Sequence, residues 1–130
     1  MKEIRHGGLL FSVDIEATKK YYEESSLCDC VYCKYYSSKI GGLFPKLEEF
    51  LRSFAIDISK PDETFPIELD SALLFDSVGY TVCGRIEHGE GEEAEIDGFK
   101  LNFRNGFGFP NEQKGEYFSI EVKGVKIDRD

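Results

Sequence analysis

Residue types that usually announce chemistry are scarce in this chain. It has two histidines, His6 and His88, and no tryptophan. It has no G-x-S-x-G, no H-E-x-x-H and no phosphate-binding glycine loop. Nothing therefore points to a serine hydrolase, a zinc protease of that type or a P-loop enzyme. His6 lies near the N-terminus and His88 in a polar turn, where a histidine reads as a solvated surface residue. Long apolar runs are missing too, and a membrane-spanning helix needs roughly 20 such residues. The opening MKEIRHGGLLFSVDIE holds one brief apolar run, broken by Asp14 and Glu16, which is not a secretory signal. A cytoplasmic protein with no membrane partner is expected.

Positive charge is also in short supply. The net charge is −9, from 16 Lys and Arg against 25 Asp and Glu. Residues 1–66 carry 9 basic and 11 acidic residues, and residues 67–130 carry 7 and 14. No basic cluster with interleaved aromatics occurs, so a nucleic-acid partner is not expected, because phosphate backbones are repelled by such a surface. The length of 130 residues fits one domain. That domain divides into a helical, cysteine-rich segment over 17–60 and a β-rich segment over 67–127. Eleven Phe and seven Tyr are enough for a core without a disulfide scaffold.

The densest signal lies in CDCVYCKYYSSKIGGLFPKLEEFLRSFAIDISKPDETFP, residues 28–66. Cys28, Cys30 and Cys33 form a C-x-C-x2-C cluster. Ser25, Ser26 and Asp29 beside it are good N-cap types. A short helix is predicted from about Asp29 to Lys39, with Cys30 and Cys33 at i and i+3 on one face and Cys28 just before the first turn. Gly41-Gly42 ends it. Pro45 suits the first turn of a second helix. Phe44, Leu47, Phe50, Leu51 and Phe54 then repeat as one apolar face. ATKKYYEE, residues 17–24, adds one or two further helical turns.

CDCVYCKYY followed by FPKLEEFLRSFAIDISKPDE resembles a family of small uncharacterised bacterial proteins. In that family a C-x-C-x2-C cluster precedes a helix and an IDxxKPxE-like segment. The resemblance covers about a third of the chain and implies no activity. Where the family pattern has a glycine after the helix, this chain has Ala55, so a different helix stop is expected.

Outside this stretch the apolar period is two. Leu9, Phe11, Val13 and Ile15 share one side of an early strand. Leu73 and Phe75 belong to a short strand, and Val78, Tyr80, Val82 and Ile86 to the next. Phe99, Leu101 and Phe103 alternate, as do Phe118, Ile120 and Val122, with Val125 and Ile127 extending the last strand. Asn105-Gly106 is a strong hairpin signal, with Phe107 and Phe109 continuing past it. No βαβ rhythm occurs. The expected fold is α+β: a mostly antiparallel sheet, as a sandwich or partly open barrel, with a helical pair from the N-terminal half packed on it.

Four candidate sites follow. The first is a metal site at Cys28, Cys30 and Cys33. Thiolates at C-x2-C spacing can share a zinc ion, and a fourth soft ligand must come from elsewhere. Cys83, His88 and His6 have the right chemistry, and Cys83 is the expected choice. Set against this are four reduced, buried thiols, since cysteine is among the most buried residue types. The second candidate is dithiol redox chemistry by Cys30 and Cys33 at a helix N-terminus, although no βαβ context surrounds them. The third is an interaction surface through Tyr21, Tyr22, Tyr32 and Tyr36, for a protein partner or a second copy of the chain. Against it, these rings cap the core with wet hydroxyls. The fourth is the acidic group Glu87, Glu90, Glu92, Glu93, Glu95 and Asp97, whose spacing fits a solvated turn and no calcium loop. The reading is a binding or interaction module with a structural zinc at the cysteines. The alternative is a cysteine-based enzyme that uses a dithiol or a catalytic metal.

Overall fold

The computed structural model describes residues 1–25, 28–106 and 115–129. Its elements run β1 (Lys2–His6), β2 (Leu9–Val13), α1 (Ile15–Glu24), α2 (Val31–Lys39), α3 (Pro45–Arg52), β3 (Glu63–Glu68), β4 (Ala72–His88), β5 (Glu93–Ile96), β6 (Phe99–Asn105) and β7 (Tyr117–Asp128). The sheet order is β1-β2-β4-β7-β6-β5, with β3 also on β4, and every pairing is antiparallel. This is the expected α+β class. The sheet curls without closing into a barrel.

β4 organises the sheet. It is one strand of 17 residues where the alternation suggested two. The apolar period slips by one residue between Phe75 and Val78, and it slips at the matching place in β7, between Val122 and Val125. Pairing continues on both sides of Asp76 and Gly124, and Gly124 has φ +71°. Tyr36 meets the Phe75 ring and shares a hydroxyl contact with Tyr80, so the strand keeps one core face through the slip.

One edge of β4 pairs with β7 from Ala72 to Cys83. The other edge pairs with β3 up to Gly79 and with β2 from Gly84 onward. α1 fills the interval. Tyr22 Oη donates to the Thr81 carbonyl at 2.7 Å and accepts the Thr81 N–H at 3.1 Å. Thr18 Oγ1 accepts the Cys83 N–H at 3.0 Å. Two side chains thus satisfy a stretch of buried strand edge that would otherwise leave polar groups unpaired. Asp14 starts α1 by accepting the Ala17 N–H at 3.0 Å, and its own N–H donates to the Cys83 carbonyl. At Gly84 (φ +136°) the β2 backbone comes so close that any side chain would run into the Ser12 carbonyl.

Among the described residues three helices pack on the sheet: the expected pair, and α1 where one or two turns were expected. The core is phenylalanine-rich. Phe11 of β2 stacks on Phe118 at 5.3 Å and meets Phe103 and Phe54 at 5.2 and 5.0 Å. Each buried ring of this kind contributes roughly 1.5–3 kcal/mol. α3 lies across the open side of the curl, with Phe50 against His6 and Phe44 against Phe99. Its cap comes from a distant turn: Asp97 Oδ2 accepts the N–H groups of Lys46 and Leu47 at 3.2 and 3.3 Å. Asp97 and Gly98 both have positive φ, +57° and +84°, and form the tight turn between β5 and β6.

Asn105-Gly106 does lead into the antiparallel β6–β7 pair, as the hairpin signal implied, but it is not itself the tight two-residue turn. Asn105 is not among the residues with positive φ, and it ends β6. Its side-chain amide accepts the Ile86 N–H at 2.8 Å and donates to the Ile86 carbonyl at 3.2 Å, so it extends the sheet. Phe107 and Phe109 lie outside the described residues. Ala55 occupies the glycine position of a helix stop, with φ +66°. The Ile56 N–H reaches back to the Leu51 carbonyl and the Ala55 N–H to the Arg52 carbonyl, as at a left-handed C-terminus. The expected change of helix stop does not occur.

Candidate metal centre

α2 begins on a cysteine. Cys30 is itself the N-cap, in place of the expected oxygen types Ser25 and Asp29 (Ser26 lies outside the described residues), and its Sγ accepts the Cys33 N–H at 3.4 Å. Sulfur can do this because the first turn of a helix presents unpaired amides. Cys33 follows three residues later and faces inward. It is 2% exposed, and its Sγ lies 3.5 Å from Thr64 Oγ1 on β3. Cys28, in the segment just before the helix, is exposed, as is Cys30.

The three sulfurs lie within 4.8 Å of one another. Three thiolates around one ion with Zn–S bonds of about 2.3 Å would stand about 3.8–4 Å apart. The cluster therefore approaches a ligand set, with the exposed Cys28 and Cys30 free to close the remaining gap onto the fixed Cys33. Among the described residues no fourth Cys, His, Asp or Glu joins the group. Asp29, the nearest carboxylate in sequence, pairs with Lys34 Nζ at 3.0 Å.

The thiols differ in electrostatics. The Cys33 N–H at its sulfur holds Cys30 below the ordinary thiol range. Burial pushes Cys33 up to about 12, against a lowering contribution from Thr64. An ion bound here must displace the Cys33 proton, so its own positive charge has to offset that burial.

Cys83 is not brought to this cluster. Cys33 touches Thr64, which pairs with Val78. Cys83 stands five residues further along β4, about 17 Å at the usual strand rise. It is buried against the start of α1, and burial raises its thiol. His6 packs on Phe50, and His88 ends β4 opposite Leu10. Neither is a member of the group.

The tyrosine surface is corrected for two of its four members. Tyr22 is buried under the edge of β4. Tyr36 is fully buried and joins a chain in which Tyr36 and Tyr80 share a 2.6 Å hydroxyl contact and Tyr80 donates to the Ile58 carbonyl. Tyr21 is half-buried and donates to Asp62. Tyr32, also half-buried, donates to Glu68 at 3.1 Å, and that contact raises its phenol. The acidic residues of 87–97 spread into separate structural tasks. Glu87 accepts from Ser12, Glu90 from Asn105, and Asp97 caps α3. Thr64 is the site neighbour that sequence reasoning missed; it lies 31 residues from Cys33 and carries no local signal.

No family model, no curated protein and no solved structure matches the chain. The cysteine cluster followed by a helix is present as the motif describes it. No helix among the described residues is long and apolar enough to cross a membrane.

Proposed function

We propose that this protein is a small binding module that holds a thiophilic ion such as zinc at Cys28, Cys30 and Cys33. The observation that carries this reading is the convergence of three sulfurs within 4.8 Å at the start of α2. The ion takes three protein ligands and leaves one coordination position facing solvent. The folded core is built elsewhere, on Phe11, Phe54, Phe103 and Phe118. The ion is therefore a bound and exchangeable partner of the fold. It is not the structural staple that a closed four-ligand site would provide. Val31, 71% exposed, and Tyr32 border the cluster. A protein partner that supplied the fourth ligand would dock on them. Unpaired thiols suit a reducing compartment, and we place the protein in the cytoplasm on that ground.

A second reading is favoured by the same open position: a catalytic ion carrying water, since catalytic zinc sites keep three protein ligands. It requires a hydrolytic activity that disappears with the metal.

The test is zinc affinity, measured by competition with a chromogenic chelator, in single Cys→Ser variants. Loss of at least tenfold is expected for Cys28→Ser, Cys30→Ser and Cys33→Ser. No change is expected for Cys83→Ser. Equal affinity across all four variants would place any bound zinc elsewhere.

A further inference from the structure

We infer that the cluster is a redox-gated metal site, in which closure of a Cys30–Cys33 disulfide expels the ion. This rests on the metal reading above and adds its regulation. Three geometric observations carry it. Cys30 is the N-cap of α2 and Cys33 the third residue of its first turn, and the Cys30 sulfur is already folded back to 3.4 Å from the Cys33 backbone nitrogen. The two sulfurs lie within 4.8 Å of each other, and a disulfide requires that gap to close to about 2.05 Å. The two thiols are also unequally accessible: Cys30 is exposed and Cys33 is 2% exposed against Thr64. A soluble oxidant therefore meets Cys30 first, and Cys33 is shielded from it yet adjacent to whatever forms on Cys30. Cys28, the third ligand, lies outside the helix and its N-cap.

The oxidant is a low-molecular-weight disulfide. The Cys30 thiolate attacks one of its sulfurs. The bond between the two oxidant sulfurs breaks, and one thiolate leaves. Cys33, as a thiolate released from the ion or, in metal-free protein, after its proton passes to solvent, then attacks the Cys30 sulfur. The mixed disulfide breaks, and the second thiolate leaves. Two electrons pass from the protein dithiol to the oxidant. The protein gains one disulfide, the oxidant yields two thiolates, and the ion, left with Cys28 alone, dissociates.

The experiment treats the full-length protein, both zinc-loaded and metal-free, with glutathione disulfide. Zinc release is followed with a chromogenic chelator, and cysteine linkage is mapped by peptide mass spectrometry. The expected result is a Cys30–Cys33 linkage in both samples, with one zinc released for each linkage formed. Cys28→Ser should still form the linkage, and Cys33→Ser should stop at a glutathione adduct on Cys30. Zinc binding with no linkage, or with linkage through Cys28, overturns the gate and leaves the metal site standing. Linkage in protein that binds no zinc overturns the metal reading and the gate with it.

Discussion

Tyr22 Oη forms two hydrogen bonds with the backbone of Thr81, donating to its carbonyl at 2.7 Å and accepting its N–H at 3.1 Å. A helix side chain thereby stands in for a strand along the edge of β4. Tyr22→Phe keeps the ring and removes both bonds. Each buried backbone group left without a partner costs about 1–3 kcal/mol. A loss of about 3 kcal/mol is expected in urea unfolding, with the fold retained. A loss below 1 kcal/mol would mean that other groups serve this edge.

Ala55 holds a conformation that glycine adopts more cheaply. Its φ of +66° places it in the left-handed region, where a β-carbon costs about 1–2 kcal/mol. Glycine loses more chain entropy on folding, which offsets part of the gain. Ala55→Gly should stabilise the protein by about 1 kcal/mol and raise its unfolding midpoint in thermal denaturation.

Asp97 performs two tasks, a left-handed turn and a cap on α3 across about fifty residues of sequence. Asparagine can do both, because it tolerates positive φ and keeps a side-chain oxygen. Asp97→Asn should therefore stay close to wild type. Asp97→Ala should lose about 1–2 kcal/mol or more, since it gives up the cap and retains the strained φ. Comparing their denaturant midpoints isolates the capping contribution.

Alkaline pH should destabilise the fold before acid does so through these groups. Burial raises Tyr22 and Tyr80 well above the usual phenol value and raises Tyr36 as well, and it pushes Cys33 up to about 12. Below the ordinary values, both folded and unfolded chains keep these protons. Above about 9 for the thiol and about 10 for the phenols, the unfolded chain releases them and the folded chain does not. Stability then falls as pH rises, by about 1.4 kcal/mol per pH unit for each such group. Urea midpoints of metal-free protein, measured from pH 8 to pH 11, should decline, and Tyr36→Phe should flatten the decline.

What the sequence made legible depended on how local each feature is. The alternation of Val78, Tyr80 and Val82, and of Phe118, Ile120 and Val122, located the central strands because side-chain direction reverses at every residue. The same rule failed at Asp76, where β4 and β7 slip together and a single strand looked like two. Asn105-Gly106 and Asp97-Gly98 are similar dipeptides in form. Only the second makes the tight turn, because Asn105 is drawn into the sheet by Ile86, which no local pattern reveals. At the site, Cys28, Cys30 and Cys33 were readable from spacing alone. The position of Cys83 and the burial of Tyr22 and Tyr36 were not. Those depend on where α1 and α2 land on β4, and an amphipathic tyrosine fits a surface and a core equally well.

The measurement that bears most directly on the central claim is the zinc content and free-thiol count of protein purified natively without chelator. The account predicts about one zinc per chain, with three thiols protected from alkylation until a chelator is added. Protein free of zinc that takes up none on titration, with Cys28 and Cys30 alkylating at once, would contradict it.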